Sequence, residues 1–160
     1  SGQLFDDNSV GGQNNGIKDA LEGGLLNVVV ELYEMPSAGQ IVDPATDTPI
    51  ASTTTAVGGV YSFPGLDPGH YATVVPVTQF QPGGALHGYS NSTGNDPPND
   101  PDDNVDHVDD GTTLPSGDVI TGTITLESNN EPIDDDDADP NTNTTLDFGF
   151  FRTLKSQPGN

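Results

Sequence analysis

The chain has 160 residues and a formal net charge of −22, because 25 residues are Asp or Glu and only three are Lys or Arg. A chain this acidic does not bind nucleic acid through its phosphates, since that binding needs clustered basic side chains. No apolar run approaches the ~18 residues of a membrane span, and there is no Cys to form a disulfide. The charge instead favours the binding of cations.

Alternating apolar residues predict the first strands. A short candidate strand covers 3–5, and a second covers 27–34, where Val28, Val30 and Leu32 share one face. The period of two residues is that of a strand with one buried face.

A pair of glycines predicts a hairpin in the next part of the chain. Strands are expected over 50–55 and 61–63, on either side of Gly58 and Gly59. Paired glycines supply the positive φ that tight hairpin turns require, so the two strands are expected to pair with each other.

Three more strands are predicted farther along, over 70–77, 119–126 and 146–151. In the second of these, Ile120 and Ile124 are expected on one face. About seven short strands separated by turn residues predict an all-β, antiparallel β-sandwich.

The acidic residues are concentrated between the strands. No strand is predicted between 78 and 113, and this stretch and 131–139 hold most of the acids of the second half of the chain. Clustering in loops favours ion sites, whereas solvated linkers or a halophilic surface are the alternatives. The candidate ligands here are Asp96, Asp100, Asp102, Asn104, Asp106, Asp109, Asp110, Asp134, Asp135, Asp136, Asp137 and Asp139.

The strongest local signal is the stretch from Asn15 to Glu22, which matches the second half of a calcium-binding loop. With Gly16 at the sixth position of that pattern, Asn15 is fifth, Asp19 ninth and Glu22 twelfth. The glycine permits the sharp turn, and the final glutamate can bind Ca²⁺ with both oxygens.

The first half of the calcium pattern is replaced by other residues. Asp6, Asp7 and Asn8 lie just upstream, and the stretch 9–13 resembles an insertion that loops out and returns them to the ion. Oxygen ligands of this kind suit Ca²⁺, and more than one ion is expected. The alternative is a polar turn between two strands.

The order of these motifs resembles a known family. The stretches Gly2–Asn8, Asn14–Leu25 and Val28–Tyr33 are similar to the opening of an Sdr-type B-like domain, a calcium-binding module of bacterial surface adhesins related to Cna B-type domains. The similarity continues through Gly59–Tyr71 and closes with Leu146–Phe150.

The resemblance implies an immunoglobulin-like or prealbumin-like β-sandwich on a bacterial cell surface, with Ca²⁺ bound at its loops. Carried over by position, the implied ligands of the first site are Asp7, Asn8, Asn15, Asp19 and Glu22. A single domain is expected over 1–152, followed by a C-terminal tail over 153–160.

No residue constellation predicts catalysis, so the chain is not expected to be an enzyme. The leading expectation is a calcium-stabilised extracellular structural protein, either a subunit of a fibril or pilus-like assembly or a stalk module of an adhesin. Self-association by strand addition would build such a homopolymer. The alternative is a domain that binds carbohydrate or a host protein. Asn91 and Asn143 stand in sequons for N-glycosylation.

Overall fold

A computed structural model describes residues 1–7, 15–92, 105–106, 108–135 and 138–152. In this part of the chain, ten short strands and one 3₁₀ turn, Val77–Phe80, surround a common core. The strands are β1 (Gly2–Asp6), β2 (Val29–Met35), β3 (Ala51–Thr54), β4 (Val60–Tyr61), β5 (Gly69–Val75), β6 (Tyr89–Asn91), β7 (Thr112–Thr113), β8 (Val119–Ile120), β9 (Ile124–Leu126) and β10 (Phe148–Arg152).

The strands form two sheets that pack face to face. One has the order β4-β1-β10-β6, and the other has the order β3-β2-β5-β8-β7, with β9 also paired to β5. The pairs are antiparallel except that β1 and β10 run parallel. The predicted β-sandwich is confirmed, and its one parallel pair joins the two ends of the described chain.

The core lies between the sheets. Leu4, Phe148 and Phe150 come from the four-stranded sheet, and Val30 and Val75 come from the facing sheet. All five are completely buried, and burying each such side chain contributes about 1.5–3 kcal/mol to folding.

The six-stranded sheet is also buried on its outer face. Tyr33 and Val74 are 2% and 0% exposed, because the segment around Val42 and the partly buried Leu114 cover them. The described residues therefore hold a second apolar layer, which explains how a chain with few apolar residues still forms a stable sandwich.

The predicted strands over 3–5, 27–34, 50–55, 61–63, 70–77 and 146–151 are confirmed, with ends that differ by a few residues. Two further strands, β6 and β7, lie where no strand is predicted. Each is at most three residues long, too short to show alternation in the sequence. The count is therefore about ten strands, where the sequence predicts seven.

A β-bulge divides the strand predicted over 119–126 into β8 and β9. Both pair with β5, but the register shifts by one residue between them, so that Ile120 faces Val74 whereas Ile124 faces Tyr71. An extra residue of this kind reverses the faces of the side chains that follow it. Ile120 packs in the outer layer and Ile124 in the inner one, so the prediction that they share a face is wrong.

The turn at Gly58 and Gly59 has the predicted conformation but a different role. Both glycines have positive φ, 87° and 76°. The strands on either side do not pair with each other, because β3 pairs with β2 and β4 pairs with β1. The hairpin prediction is wrong: the turn carries the chain from one sheet to the other, and a Cβ on Gly59 would lie 2.1 Å from the carbonyl oxygen of Leu4.

Candidate metal centre

The loop from Asn15 to Glu22 is held by its own side chains. Gly16 has a φ of 75°, as the sharp turn of the predicted calcium loop requires. Asn15 Oδ1 accepts a hydrogen bond from Ile17 N at 3.0 Å. Glu22 Oε2 accepts one from Asp19 N at 2.9 Å, so the ninth and twelfth positions of the loop are in contact.

Asp7 and Glu22 are the buried carboxylates of this loop, at 0% and 4% exposure. Asp7 Oδ2 accepts a hydrogen bond from Gly16 N at 2.8 Å. The other oxygens, Asp7 Oδ1 and Glu22 Oε1, are buried and have no hydrogen-bond partner among the described residues. Buried polar atoms are nearly always paired, so each of these oxygens needs an explanation.

Asp109 reaches the same loop from the second half of the chain. Asp109 N donates to Gly16 O at 2.8 Å, next to an isolated β-bridge between Ile17 and Val108. The sequence predicts Asp109 as a ligand but assigns it to a separate acidic segment. The structure brings that segment and the first loop together, because the isolated bridge places residues about ninety positions apart in contact.

The Asp109 side chain is completely buried. Its Oδ1 accepts hydrogen bonds from Gly111 N at 2.9 Å and Gly149 N at 3.0 Å, while Oδ2 has no partner in the described part of the chain. Two more buried oxygens have no partner among the described residues. Asn91 Oδ1 lies beside Gly111, and Ser92 Oγ lies beside Gly149. Ser92 lies close enough to Asp7 to favour its charged form, although it makes no hydrogen bond of standard geometry.

Burial raises the pKa of the carboxyl groups of Asp7, Glu22 and Asp109. Loss of hydration is the largest cause for Asp7 and Glu22, and repulsion from neighbouring carboxylates adds to it. The pKa of Asp109 rises from 3.8 to about 7, first through burial and further through the charge of Asp7, against the opposing hydrogen bonds from two backbone N–H groups. These groups repel one another when ionised and are stabilised by a proton or a cation.

The described carboxylates do not form a complete metal site by themselves. No three Asp, Glu or His side chains of the described residues are grouped tightly enough to hold a metal ion by themselves. Several predicted ligands lie outside the described residues: Asn8, Asp96, Asp100, Asp102, Asn104, Asp136 and Asp137. Their part in any site stays a prediction.

Three predicted ligands lie nearer the surface. Asp19 is exposed, and Asp6 and Asp106 are half-buried. Asp6 Oδ2 accepts a hydrogen bond from the Tyr89 hydroxyl at 3.2 Å. Asp6 and Asp19 lie close enough to Glu22 to repel its charge, but all three positions lack the burial of Asp7, Glu22 and Asp109.

A second group of buried acids lies near residue 147. Asp110 Oδ2 accepts a hydrogen bond from Asp147 N at 3.0 Å, and Asp147 Oδ1 accepts one from Gln3 N at 2.7 Å. Both acids are 1% exposed. Asp147 was not predicted as a ligand, because an acid between the apolar residues Leu146 and Phe148 has the alternation of a strand whose other face is solvated.

The third acidic segment contributes one fully buried carboxylate, Asp135. Its Oδ2 accepts a hydrogen bond from Thr144 N at 2.8 Å, and its Oδ1 has no partner among the described residues. Its neighbours Asp134 and Asp139 are exposed. Glu131, which was not a predicted ligand, is 8% exposed.

The model of the SdrD B-like domain matches residues 5–153. The chain belongs to the SdrD B-like domain family. The resemblance drawn from the sequence motifs is therefore confirmed over nearly the whole chain. A comparison with curated proteins gives no match.

SdrD B-like domains are structural domains associated with surface adhesins, rather than a family of enzymes. One cavity formed by the described residues, about 470 Å³, lies near Phe63, Leu66 and Ile124. Its lining has a single carboxylate, Asp139, whereas glycoside hydrolysis needs two. In the described residues, no helix is long and apolar enough to cross a membrane.

The aromatic residues of this SdrD B-like domain mainly pack. Tyr33 is 2% exposed, and Phe80 lies against Phe150 with ring centroids 5.5 Å apart. The guanidinium of Arg152 covers the ring of Tyr89 at 4.6 Å. These contacts do not leave an exposed aromatic surface for stacking against a sugar at Tyr33, Phe80, Phe150 or Tyr89.

The two sequon asparagines both donate hydrogen bonds. Asn91 Nδ2 donates to Gly111 O at 2.9 Å, and Asn143 Nδ2 donates to Glu131 Oε2 at 3.0 Å. Asn143 is only 4% exposed, so a glycan there would require the side chain to leave its buried position. Glycosylation of either residue stays a prediction.

Proposed function

We propose that this SdrD B-like domain is a calcium-stabilised structural module of an extracellular bacterial surface protein. One observation carries the proposal. Asp7, Glu22 and Asp109, from distant parts of the chain, are each buried with one carboxylate oxygen that lacks a partner among the described residues. Cations bound at these oxygens, with further ligands from outside the described residues, would pair them and tie the first loop to the strands β6 and β10.

The charges of the whole chain support the same proposal. Seven carboxylates are buried in the described residues, whereas the entire sequence has three Lys or Arg. An ionised carboxylate buried without a compensating charge costs on the order of several kcal/mol. Because the basic side chains are too few, bound cations are the natural compensation at neutral pH.

The chemistry of the unpaired atoms favours Ca²⁺. The set contains carboxylate, amide and hydroxyl oxygens and no nitrogen or sulfur ligand. Ca²⁺ accepts six to eight such oxygens in flexible geometry, whereas Mg²⁺ demands a near-ideal octahedron and keeps several waters. Asn8 and the acids of 96–106 are proposed to supply further ligands. A separate ion is proposed at Asp135, together with Asp136, Asp137 and Asp139.

The role of the module is mechanical. Ions that link the loops to the four-stranded sheet would stiffen a sandwich whose strands are short, as a stalk of an adhesin or a subunit of a surface fibril requires. In the fibril, an added strand from another copy would extend a sheet of this one through backbone hydrogen bonds. The family supports a surface location.

Thermal unfolding with and without a chelator tests the calcium proposal. With Ca²⁺ at ~100-fold excess over its Kd, one site adds about 2.7 kcal/mol of stability by mass action, so EDTA is expected to lower the Tm markedly. Re-addition of Ca²⁺ should restore it, and Mg²⁺ at the same concentration should restore much less. Native mass spectrometry counts the bound ions.

Two variants make the test specific. Asp109→Asn should weaken the stabilisation by Ca²⁺, whereas Asp67→Asn, the same change at an exposed acid, should leave it unchanged. A Tm that does not respond to EDTA or Ca²⁺ would refute the calcium proposal.

A further inference from the structure

Among the described strands, β3 is a free edge of the six-stranded sheet. It pairs with β2 on one side and ends the strand order on the other, and Ala51, Ser52 and Thr54 are exposed. Thr55 N donates to Val28 O at 2.9 Å, and hydrogen-bonded positions alternate along an antiparallel pair. The N–H and C=O groups of Ser52 and Thr54 therefore point away from β2, toward solvent.

This edge lacks the usual protection. Natural proteins guard exposed edge strands with charges, Pro, bulges or very short length. Residues 50–63 contain no charged residue and no Pro, although the chain has 28 charged side chains. β3 has four residues, whereas the edge strands β4 and β7 have two each. Three consecutive Thr residues, 53–55, also favour the extended conformation.

The hydrogen-bonding pattern of this edge points to a second copy as the partner. An antiparallel strand edge is complementary to itself, because a two-fold rotation places the donors of one copy opposite the acceptors of the other. Copies that each carry −22 repel one another, and this repulsion is least along β3, because residues 50–63 carry no charge.

We propose that two copies pair through β3 in antiparallel orientation, which makes one continuous sheet across the dimer. Only one register pairs all the outward-pointing N–H and C=O groups of Ser52 and Thr54. Ile50 N already donates to Leu32 O, and Ala56 N to Val60 O, so Ser52 of each copy must face Thr54 of the other. Thr53 then lies on the two-fold axis opposite its own copy.

This interface gives four backbone hydrogen bonds between the copies and closes on itself, because a two-fold contact is satisfied by two subunits. The inference goes beyond the proposed function, because a dimer that closes on itself does not extend into a fibril. Its test is separate from that of calcium binding, since β3 belongs to the six-stranded sheet while Asp7 and Asp109 adjoin β1 and β10 of the other sheet.

Sedimentation over a range of protein concentrations, with Ca²⁺ present, measures the association. The mass is expected to rise with concentration from 16.6 kDa toward twice that value. Thr54→Lys places a charge on the free edge and should shift the monomer–dimer midpoint at least tenfold upward, with an unchanged Tm. Thr113→Lys, the same change on the exposed edge strand β7, is the matched control and should leave the midpoint unchanged.

Single cysteines test the register. The natural chain has no Cys, so any disulfide formed by one introduced Cys joins two copies. Thr53→Cys should cross-link fastest, since non-hydrogen-bonded partners in an antiparallel pair are closest. Thr113→Cys should cross-link at least tenfold more slowly. Equal rates, a monomer at every concentration, or a dimer that survives Thr54→Lys would overturn the proposal.

Discussion

Replacing Asp109 with Asn should have opposite effects with and without calcium. Without a cation, the buried carboxylate opposes folding, because its pKa lies at about 7 in the folded protein and at 3.8 ordinarily. At about 1.4 kcal/mol per pH unit, ionising this group above pH 7 costs the fold on the order of 4 kcal/mol at most. Asn removes that cost and keeps an oxygen for the hydrogen bonds from Gly111 and Gly149.

The Asn side chain brings a smaller penalty of its own. Its Nδ2 replaces the oxygen that has no described partner, and an unsatisfied buried donor costs about 1–3 kcal/mol. Asp109→Asn is therefore expected to stabilise the metal-free protein by about 1–3 kcal/mol above pH 7. With saturating Ca²⁺ the variant should be the less stable protein, because it lacks a negative ligand.

The same shift fixes the pH dependence of the metal-free protein. An acid with a raised pKa in the folded state binds more protons there than in the unfolded state, so its contribution is fully present below pH 3.8 and is lost as the pH rises through about 7. In EDTA, the contribution of Asp109 should fall between pH 3.8 and about 7. Asp109→Asn should flatten this part of the profile.

Urea denaturation in EDTA and in Ca²⁺, at several pH values, measures these effects for the wild type and the variant. Asp67→Asn, at an exposed position, controls for the substitution itself. The reasoning would be refuted if Asp109→Asn were destabilising by the same amount in EDTA and in Ca²⁺, since Asp109 would then act only through its hydrogen bonds.

Three substitutions test the fold itself. Tyr71→Phe removes the hydroxyl that donates to Asp67 O at 2.8 Å and should cost about 1 kcal/mol in urea denaturation; a loss below the error would show that the turn holds without it. Gly58→Ala and Gly59→Ala both meet a positive φ, which costs about 1–2 kcal/mol, but only Gly59→Ala also forces a Cβ to 2.1 Å from the backbone of Leu4. Gly59→Ala should therefore be clearly the more destabilising of the two, and equal losses would contradict the crossing of the sheets at this turn.

Strands were predictable where the apolar pattern is long enough to read. β2, β5 and β10 have five to seven residues, and their buried faces follow the alternation in the sequence. β6 and β7 were not predictable, because strands of two or three residues are defined by their partners. The hairpin failed for a related reason: a glycine turn reports its own dihedral angles, and the choice between two sheets is made by distant strands.

The candidate metal centre also contains residues that the sequence predicts together and one that it assigns elsewhere. Gly16, Asp7 and Glu22 follow from a local spacing pattern, and their burial and contacts agree with it. Asp109 was expected to serve a different loop, since ninety residues separate it from Glu22 in the sequence. Calcium itself stays a proposal that chelation will decide.

The excess of acids, their placement in loops and the family of the chain follow from the amino-acid sequence alone. Those properties are local, because spacing, turn chemistry and composition depend on neighbouring residues. Which acids are buried together, and which sheet edge has no partner among the described strands, depends on contacts between distant parts of the chain. The parallel pairing of β1 with β10 brings the two ends of the described chain side by side, and with them the carboxylates whose charges must be neutralised.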